Sequence, residues 1–246
     1  MDTFTALFIN IVWLLAGFLN GVTSFGGNLF AVPLMTLVMD TKEAVIFSCL
    51  VGTGITTSIT FFYHKELPKL EFTMALLACV AGVPFGMVML KLASTKAMLF
   101  GSGMILLFFL VWQAVAGRMG NTLRVPLWSI VPVGMLSGIL MSATGMGGPV
   151  LAMYAVLRGW SKEVTLSMIN TLATLAMVVL VFLQWRDGLY TPQMLHRALW
   201  AVPCCVLGVF VSIPVIKRVN PRIFRRGLLG MLAFSAAMLF VRGMGV

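Results

Sequence analysis

Two double glycines, each in the middle of an otherwise apolar stretch, constrain this chain more than any other feature. The first lies in GVTSFGGNLFAVPLM (21–35) and the second in SATGMGGPVLAMY (142–154). Glycine lacks a Cβ and permits backbone conformations that interrupt a helix. In lipid every backbone polar group needs a partner, so such an interruption survives only where it is packed in protein or lines a cavity. Two interruptions at matching places in the halves of a membrane protein indicate a transport site.

The composition indicates an integral membrane protein. Of the 246 residues, 60% are hydrophobic and 10% are charged, whereas soluble domains carry about a quarter charged residues. Long apolar runs recur along the chain and predict transmembrane helices. The fold class expected is therefore an all-α polytopic membrane protein. The first apolar run has no basic leading region and no small-residue cleavage site, so we interpret it as a retained span and not as a signal peptide.

Short polar hinges divide the chain into hydrophobic segments that form an internal repeat. The hinge Thr41-Lys42-Glu43 follows the first glycine motif, and Ser161-Lys162-Glu163 follows the second. We therefore expect two four-segment transmembrane repeats, 1–120 and 121–246, within one membrane domain, with segments 1 and 5 broken at the glycines. The eight predicted segments are 4–38, 44–63, 70–92, 97–116, 126–157, 163–185, 194–216 and 222–242.

The broken segments leave the orientation of the repeats open. Segments 1 and 5 exceed thirty residues, or roughly 50 Å of helix against a hydrocarbon core of about 30 Å. Full crossings would make the repeats parallel, whereas re-entrant hairpins would make them inverted, and we favour the inverted arrangement. With hairpins, Lys and Arg divide 6 to 11 between the two faces, and the positive-inside rule places the N-terminus outside.

The distribution of charge indicates an anion as substrate. The formal net charge is +10, but the basic residues lie between apolar spans, so we interpret them as topological anchors and expect no nucleic-acid partner. Each of the seven acidic residues lies at a terminus, in a loop or at the edge of a span. Without a mid-membrane carboxylate, the polar groups available are backbone amides, half-helix N-termini and hydroxyls, which are groups that hold an anion.

Candidate substrate-binding residues come from the two motifs and from the segments that follow them. Asn28 and Asn170 are the sharpest candidates, because an amide facing lipid is costly. The four cysteines lie in apolar spans without a CxxC motif or a nearby histidine, so we expect no metal and no cofactor. The predicted set is Thr23, Ser24, Gly26, Gly27, Asn28, Thr53, Thr57, Thr144, Gly145, Gly147, Gly148, Asn170, Thr171 and Thr174, with Thr56 and Ser58 as further lining candidates on segment 2.

These motifs resemble those of the TauE/SafE sulfite exporter family, also called the TSUP family of anion permeases. Members of that family have two copies of a glycine-rich stretch followed by an apolar run with proline. The two copies here are SFGGNLFAVPL and TGMGGPVLAMY. The resemblance covers essentially the whole chain. Two departures concern the site: Asn28 stands where the family often has a third glycine, and Tyr154 stands where a downstream proline is usual.

The resemblance implies a secondary transporter, commonly an exporter, of sulfite or a related small sulfur-containing anion such as an organosulfonate across a bacterial inner membrane. An anion channel, or an uptake permease for another small organic anion, is the alternative. No nucleophile–base pair or phosphate loop is visible in the sequence, so we do not expect an enzyme. The expected partners are the small anion and the lipid bilayer, and a homo-oligomer is left open.

Overall fold

The computed structural model describes residues 3–63, 67–116 and 125–216 and scattered positions between 230 and 244. The described residues form helices, and no strand occurs among them. The eighth predicted segment, 222–242, lies mostly outside the described residues. The helices are α1 (Thr3–Thr23), α2 (Gly26–Met35), α3 (Thr41–Tyr63), α4 (Lys69–Leu92), α5 (Thr95–Ala116), α6 (Ile130–Thr144), α7 (Gly148–Arg158), α8 (Lys162–Arg186) and α9 (Pro192–Ile216), with a 3-10 turn at Leu127–Ser129 before α6.

Helix length and hydropathy confirm the predicted fold class. Within the described part of the chain, seven helices are long and apolar enough to cross a membrane. The helices α2 and α7 have only 10 and 11 residues. At 1.5 Å per residue they extend for roughly 15 to 17 Å, about half of the hydrocarbon core. The protein is therefore an all-α, multi-pass membrane protein that contains two short internal helices.

Both glycine motifs break their helices, as predicted. α1 ends at Thr23, and Ser24 has a φ of 76°, a left-handed conformation that is uncommon for a residue with a side chain. α6 ends at Thr144, and Gly145 has a φ of 75°. Pro149 lies in the first turn of α7, where its missing N–H costs no helical hydrogen bond. Proline therefore starts the second short helix and does not interrupt it.

The chain folds back on itself after each break. A Cβ placed on Gly27 would lie 2.8 Å from the carbonyl oxygen of Ala16, and Ser137 Oγ donates a 2.9 Å hydrogen bond to the carbonyl of Gly147. In a continuous helix, residues ten or eleven positions apart would be separated by roughly 15 Å. The pairs α1–α2 and α6–α7 are therefore re-entrant hairpins.

Close contacts between small residues show that α1 runs parallel to α9. A Cβ on Gly17 would lie 2.0 Å from the carbonyl oxygen of Cys205, and one on Gly21 would lie 1.9 Å from Ser212 Oγ. The contact therefore advances in the same direction along both helices. Small residues at intervals of four let the backbones of membrane helices approach closely. Any larger side chain at Gly17 would push α1 away from α9.

An equivalent contact joins α4 to α6. A Cβ on Gly138 would lie 2.0 Å from the carbonyl oxygen of Cys79, and one on Gly86 would lie 2.1 Å from Ser142 Oγ. These two helices are therefore also parallel to each other. Each contact pairs the first helix of one predicted repeat with a later helix of the other.

The packing of α3 completes the orientation of the helices. Gly54 lies against the side chain of Val202, and the rings of Phe62 and Phe210 meet at 5.5 Å, so α3 is parallel to α9. Consecutive membrane spans reverse direction, so α4 runs opposite to α3. Because α6 is parallel to α4, it also runs opposite to α3. Helices α1 and α6, like α4 and α9, therefore run in opposite directions, as an inverted repeat requires. The repeat limits 1–120 and 121–246 remain a prediction, and the connection at 117–124 lies outside the described residues.

Candidate functional site

The two broken segments meet around a small cavity. Its volume is about 40 Å³, and no charged side chain lines it among the described residues. Six of the predicted residues line it, namely Asn28, Thr56, Gly145, Gly147, Gly148 and Asn170. Because a water molecule needs about 10 to 15 Å³ of such space, the cavity holds about three water-sized groups. It is therefore large enough only for a very small ligand.

A network of carboxamides holds the first break against α8. Asn20 Nδ2 donates to Asn170 Oδ1 at 3.1 Å, and Asn20 Oδ1 accepts the Gly27 N–H at 3.1 Å. Asn170 Nδ2 donates to the carbonyl oxygens of Ser24 at 3.3 Å and Leu166 at 2.9 Å. Asn170 is fully buried and Asn20 is 5% exposed. The left-handed conformation of Ser24 is thus stabilised from a helix of the other half of the chain.

The second break is held by side chains from both halves. Asn28 Nδ2 donates to the carbonyl of Gly145 at 2.9 Å. Ser137 Oγ bonds the carbonyl of Gly147. A Cβ on Gly148 would lie 2.5 Å from Phe25 Cβ. The two breaks are therefore in direct contact, and movement of one displaces the other.

Two carboxamides that line the cavity, Asn20 and Asn28, keep N–H groups that could bind a ligand. A carboxamide nitrogen carries two N–H groups, and Asn20 and Asn28 each use one of them within the described part of the chain. No side-chain hydrogen bond caps the first turn of α7, which begins at Gly148. Free N–H groups at a helix N-terminus carry partial positive charge and favour an anion. The cavity therefore offers the chemistry of an anion site.

Other predicted residues of the first motif support the break without lining the cavity. The Gly26 N–H donates to Thr23 Oγ1 at 2.8 Å, and the Gly27 N–H is taken by Asn20. In this conformation both amides are therefore bonded to side chains of α1. Ser24 is buried beside Asn170.

Three predicted hydroxyls lie near the cavity but do not line it. Thr144 and Thr174 donate to carbonyl oxygens of their own helices at 2.8 Å. Thr171 is 9% exposed, and its Oγ1 has no hydrogen-bond partner among the described residues. Hydroxyls in apolar helices commonly bond the carbonyl four residues back. A hydroxyl side chain in a span therefore does not by itself indicate a residue that lines the cavity.

The hydroxyls on α3 divide between two surfaces. Thr56 lines the central cavity. Thr53, Thr57 and Ser58 line a separate groove beside Phe61 and other phenylalanines. Thr53 and Thr57 therefore do not contribute to the central cavity in this conformation.

Asn20, Phe25 and Ser137 are among the lining residues that the sequence analysis missed. Asn20 carried a usable signal, because it is an amide within an apolar helix, as Asn28 and Asn170 are. Ser137 is one of many hydroxyls in apolar segments, and nothing in its local sequence distinguishes it. Phe25 is one of 18 phenylalanines, and only its position at the break makes it a wall of the cavity.

A second, larger cavity adjoins the first at Phe25. Its volume is about 350 Å³, and it extends along α7 from Ala152 to Gly159 and Trp160. Phe25 lines both cavities, and its ring packs edge-on against Phe109 at 5.2 Å. We call the larger cavity the α7 vestibule. It ends at the connection between α7 and α8, on the face that the positive-inside rule assigns to the cytoplasm.

Comparison with known proteins agrees with this architecture. A family model described as "Sulfite exporter TauE/SafE" matches residues 9–239. No curated protein and no solved structure shows significant similarity to the chain. The matched range contains both breaks and the residues of the cavity between them. The chain belongs to the TauE/SafE sulfite exporter family.

Proposed function

We propose that this protein is a secondary transporter that exports sulfite, or a similarly small sulfur oxyanion, across a bacterial inner membrane. One observation carries the proposal: two half-length helices begin beside one cavity, where Asn20 and Asn28 each keep an N–H group that no hydrogen bond uses within the described part of the chain. Half-helix N-termini at the interface of inverted repeats are a recurring way to bind an anion within a membrane.

The size of the cavity supports sulfite over an organosulfonate. Sulfite has four non-hydrogen atoms, comparable with the roughly three water-sized groups that about 40 Å³ accommodates. An organosulfonate adds a carbon chain for which this conformation has no room. The uncharged lining supports selection by hydrogen bonding and not by a fixed cation.

The vestibule is compatible with export, since it opens on the side from which an exporter takes up its substrate. It reaches Phe25 from the face predicted to be cytoplasmic, so an anion from that face would need to pass only one ring to enter the cavity. Alternating access then requires the Phe25 side to close while the opposite side opens. The coupled breaks, joined by the hydrogen bond from Asn28 to Gly145, supply a contact through which both sides can move together.

The test is flux of labelled sulfite in proteoliposomes containing the purified chain, with sulfonates, sulfate and chloride as competitors. We expect saturable flux with counterflow, reduced at least tenfold by Asn28→Leu and unchanged by Thr57→Val, which alters a hydroxyl outside the cavity. Flux that does not saturate and shows no counterflow would indicate a channel. Saturable flux of a different organic anion, without sulfite flux, would contradict the proposed substrate.

A further inference from the structure

A third cavity lies between the N-terminal halves of α1 and α9, far from the two breaks. Its volume is about 210 Å³. Its polar lining consists of Asn10 on α1 and of His196 and Arg197 on α9. The close glycine contacts between these helices occur further along, at Gly17 and Gly21, so the helices leave space at their beginnings.

Among the described residues, no carboxylate pairs with Arg197 at this cavity. The Arg197 Nε is buried and has no hydrogen-bond partner, and the side chain makes no ion pair among the described residues. Arg197 is half-buried, and a buried N–H donor without a partner is costly. Its planar fork of donors matches an oxyanion such as phosphate.

The corresponding position in the other half of the chain is occupied by an ion pair. Cys79 and Cys205 make equivalent contacts with Gly138 and Gly17, so a shift of 126 residues relates α4 to α9. By that shift, Arg197 on α9 is equivalent to Glu71 on α4. Glu71 accepts a charge-assisted hydrogen bond from Arg158. One half therefore pairs its charge with a residue of its partner helix, whereas in the other half Arg197 lies beside a cavity and has no ion-pair partner within the ranges that the structure describes.

The surroundings of the cavity face lipid. Trp200, which also lines it, is 60% exposed, and the neighbouring Leu199 is 67% exposed. On α1, Leu7 is 58% exposed. Tryptophan beside exposed aliphatic side chains is typical of the level where acyl chains meet headgroups. Arg197 lies five residues after the start of α9, which is about 7 to 8 Å along the helix.

We propose that this cavity binds the phosphate of a membrane phospholipid through Arg197, with Asn10 and His196 as further polar contacts. The acyl chains would lie along the exposed apolar side chains of α1 and α9. The site is independent of the anion carried by the central cavity.

The experiment is native mass spectrometry of the full-length chain titrated with phosphatidylglycerol. We expect one tightly held lipid, with a dissociation constant at least tenfold higher in Arg197→Gln. Lys96→Gln is the matched control, because it removes the same charge from an exposed position on the same predicted face. Arg197→Lys keeps the charge but loses the planar guanidinium group, and should bind phosphatidylglycerol with intermediate affinity.

Two results would overturn the proposal. One is equal binding of phosphatidylglycerol by the wild-type chain, Arg197→Gln and Lys96→Gln. The other is tight binding of inorganic phosphate or sulfite alone that displaces the lipid and depends on Arg197, which would assign the cavity to a free oxyanion. Should Arg197→Gln fail to fold, Asn10→Ala keeps every charge and should still weaken lipid binding, and unchanged binding by that variant would contradict the site.

Discussion

The carboxamide of Asn20 donates a 3.1 Å hydrogen bond to the carboxamide of Asn170, 150 residues further along the chain. The same Asn20 side chain accepts the N–H of Gly27. A single residue on α1 therefore fixes the beginning of the re-entrant helix α2 and joins it to α8.

We expect Asn20→Leu to lower both stability and transport. The substitution leaves the Gly27 N–H and Asn170 Oδ1 without partners, and each buried unsatisfied group costs about 1 to 3 kcal/mol. The measurements are the thermal midpoint in detergent and the flux in proteoliposomes. Thr73→Val is the control, because that exposed hydroxyl bonds only its own helix. In a double-mutant cycle, the losses of unfolding free energy caused by Asn20→Leu and Asn170→Leu should be non-additive by about 0.5 to 3 kcal/mol. Strictly additive losses would show that the two side chains do not stabilise each other.

Gly148→Ala should reduce flux at least tenfold, because the added Cβ would lie 2.5 Å from Phe25 Cβ. The two breaks would have to separate to accommodate it. Gly101→Ala introduces the same atom within α5, where nothing lies within 4 Å, and should leave flux unchanged. Equal flux in both variants would show that contact between the breaks is not required.

Removal of the Phe25 ring should join the central cavity to the α7 vestibule. Ala173 lines the cavity and Ala152 lines the vestibule. In inside-out vesicles, a sulfonate-bearing thiol reagent should label Ala152→Cys readily. It should label Ala173→Cys at least tenfold faster when Phe25→Ala is added.

Phe182→Ala is the control for this measurement, since it removes an exposed ring from α8 without touching either cavity. The unsubstituted chain gives the background from its four cysteines. Labelling of Ala173→Cys at the same rate with and without the Phe25 ring would show that Phe25 is not the barrier.

The ion pair between Lys91 and Asp187 should make stability depend on pH. Lys91 Nζ lies 2.5 Å from Asp187 Oδ2, and this ammonium group lowers the pKa of Asp187 from its ordinary value. The stabilisation is therefore complete above the ordinary pKa and is lost as the pH falls through the lowered one.

Asp187→Asn should accordingly lower the thermal midpoint at neutral pH, and have a smaller effect at an acid pH below the ordinary pKa of aspartate. Glu43→Gln, which alters an exposed carboxylate on the same predicted face, should change the midpoint little at either pH. A deficit in Asp187→Asn that is equally large at both pH values would exclude the ion pair as its cause.

The spans and their breaks could be predicted because their signals are local. From apolar length and polar hinges, the third segment was predicted at 70–92, and the structure has α4 at Lys69–Leu92. Glycine, proline and the left-handed backbone at Gly145 act within a few residues of the chain. Such features need no knowledge of what packs against them.

The candidate site was only partly predictable, because a helix presents different faces to different neighbours. Asn28 and Asn170 line the cavity, and the sequence singled out both because each is an amide in an apolar segment. The same signal at Asn20 was not used. Thr53 and Thr57 failed as lining residues, since the rotation of α3 about its axis is set by α8 and α9 and not by its own sequence.

The sequence alone determined that this chain is a multi-pass helical membrane protein with two broken segments, because burial of apolar length in lipid leaves no other solution. It did not determine the direction of the chain after each break, since more than thirty residues can either cross the bilayer or fold back within it. In the tertiary structure the chain folds back after each break, because Gly27 packs against Ala16 and Gly147 packs against Ser137. These contacts are steric and long-range, and they bring the two half-helix N-termini to one cavity.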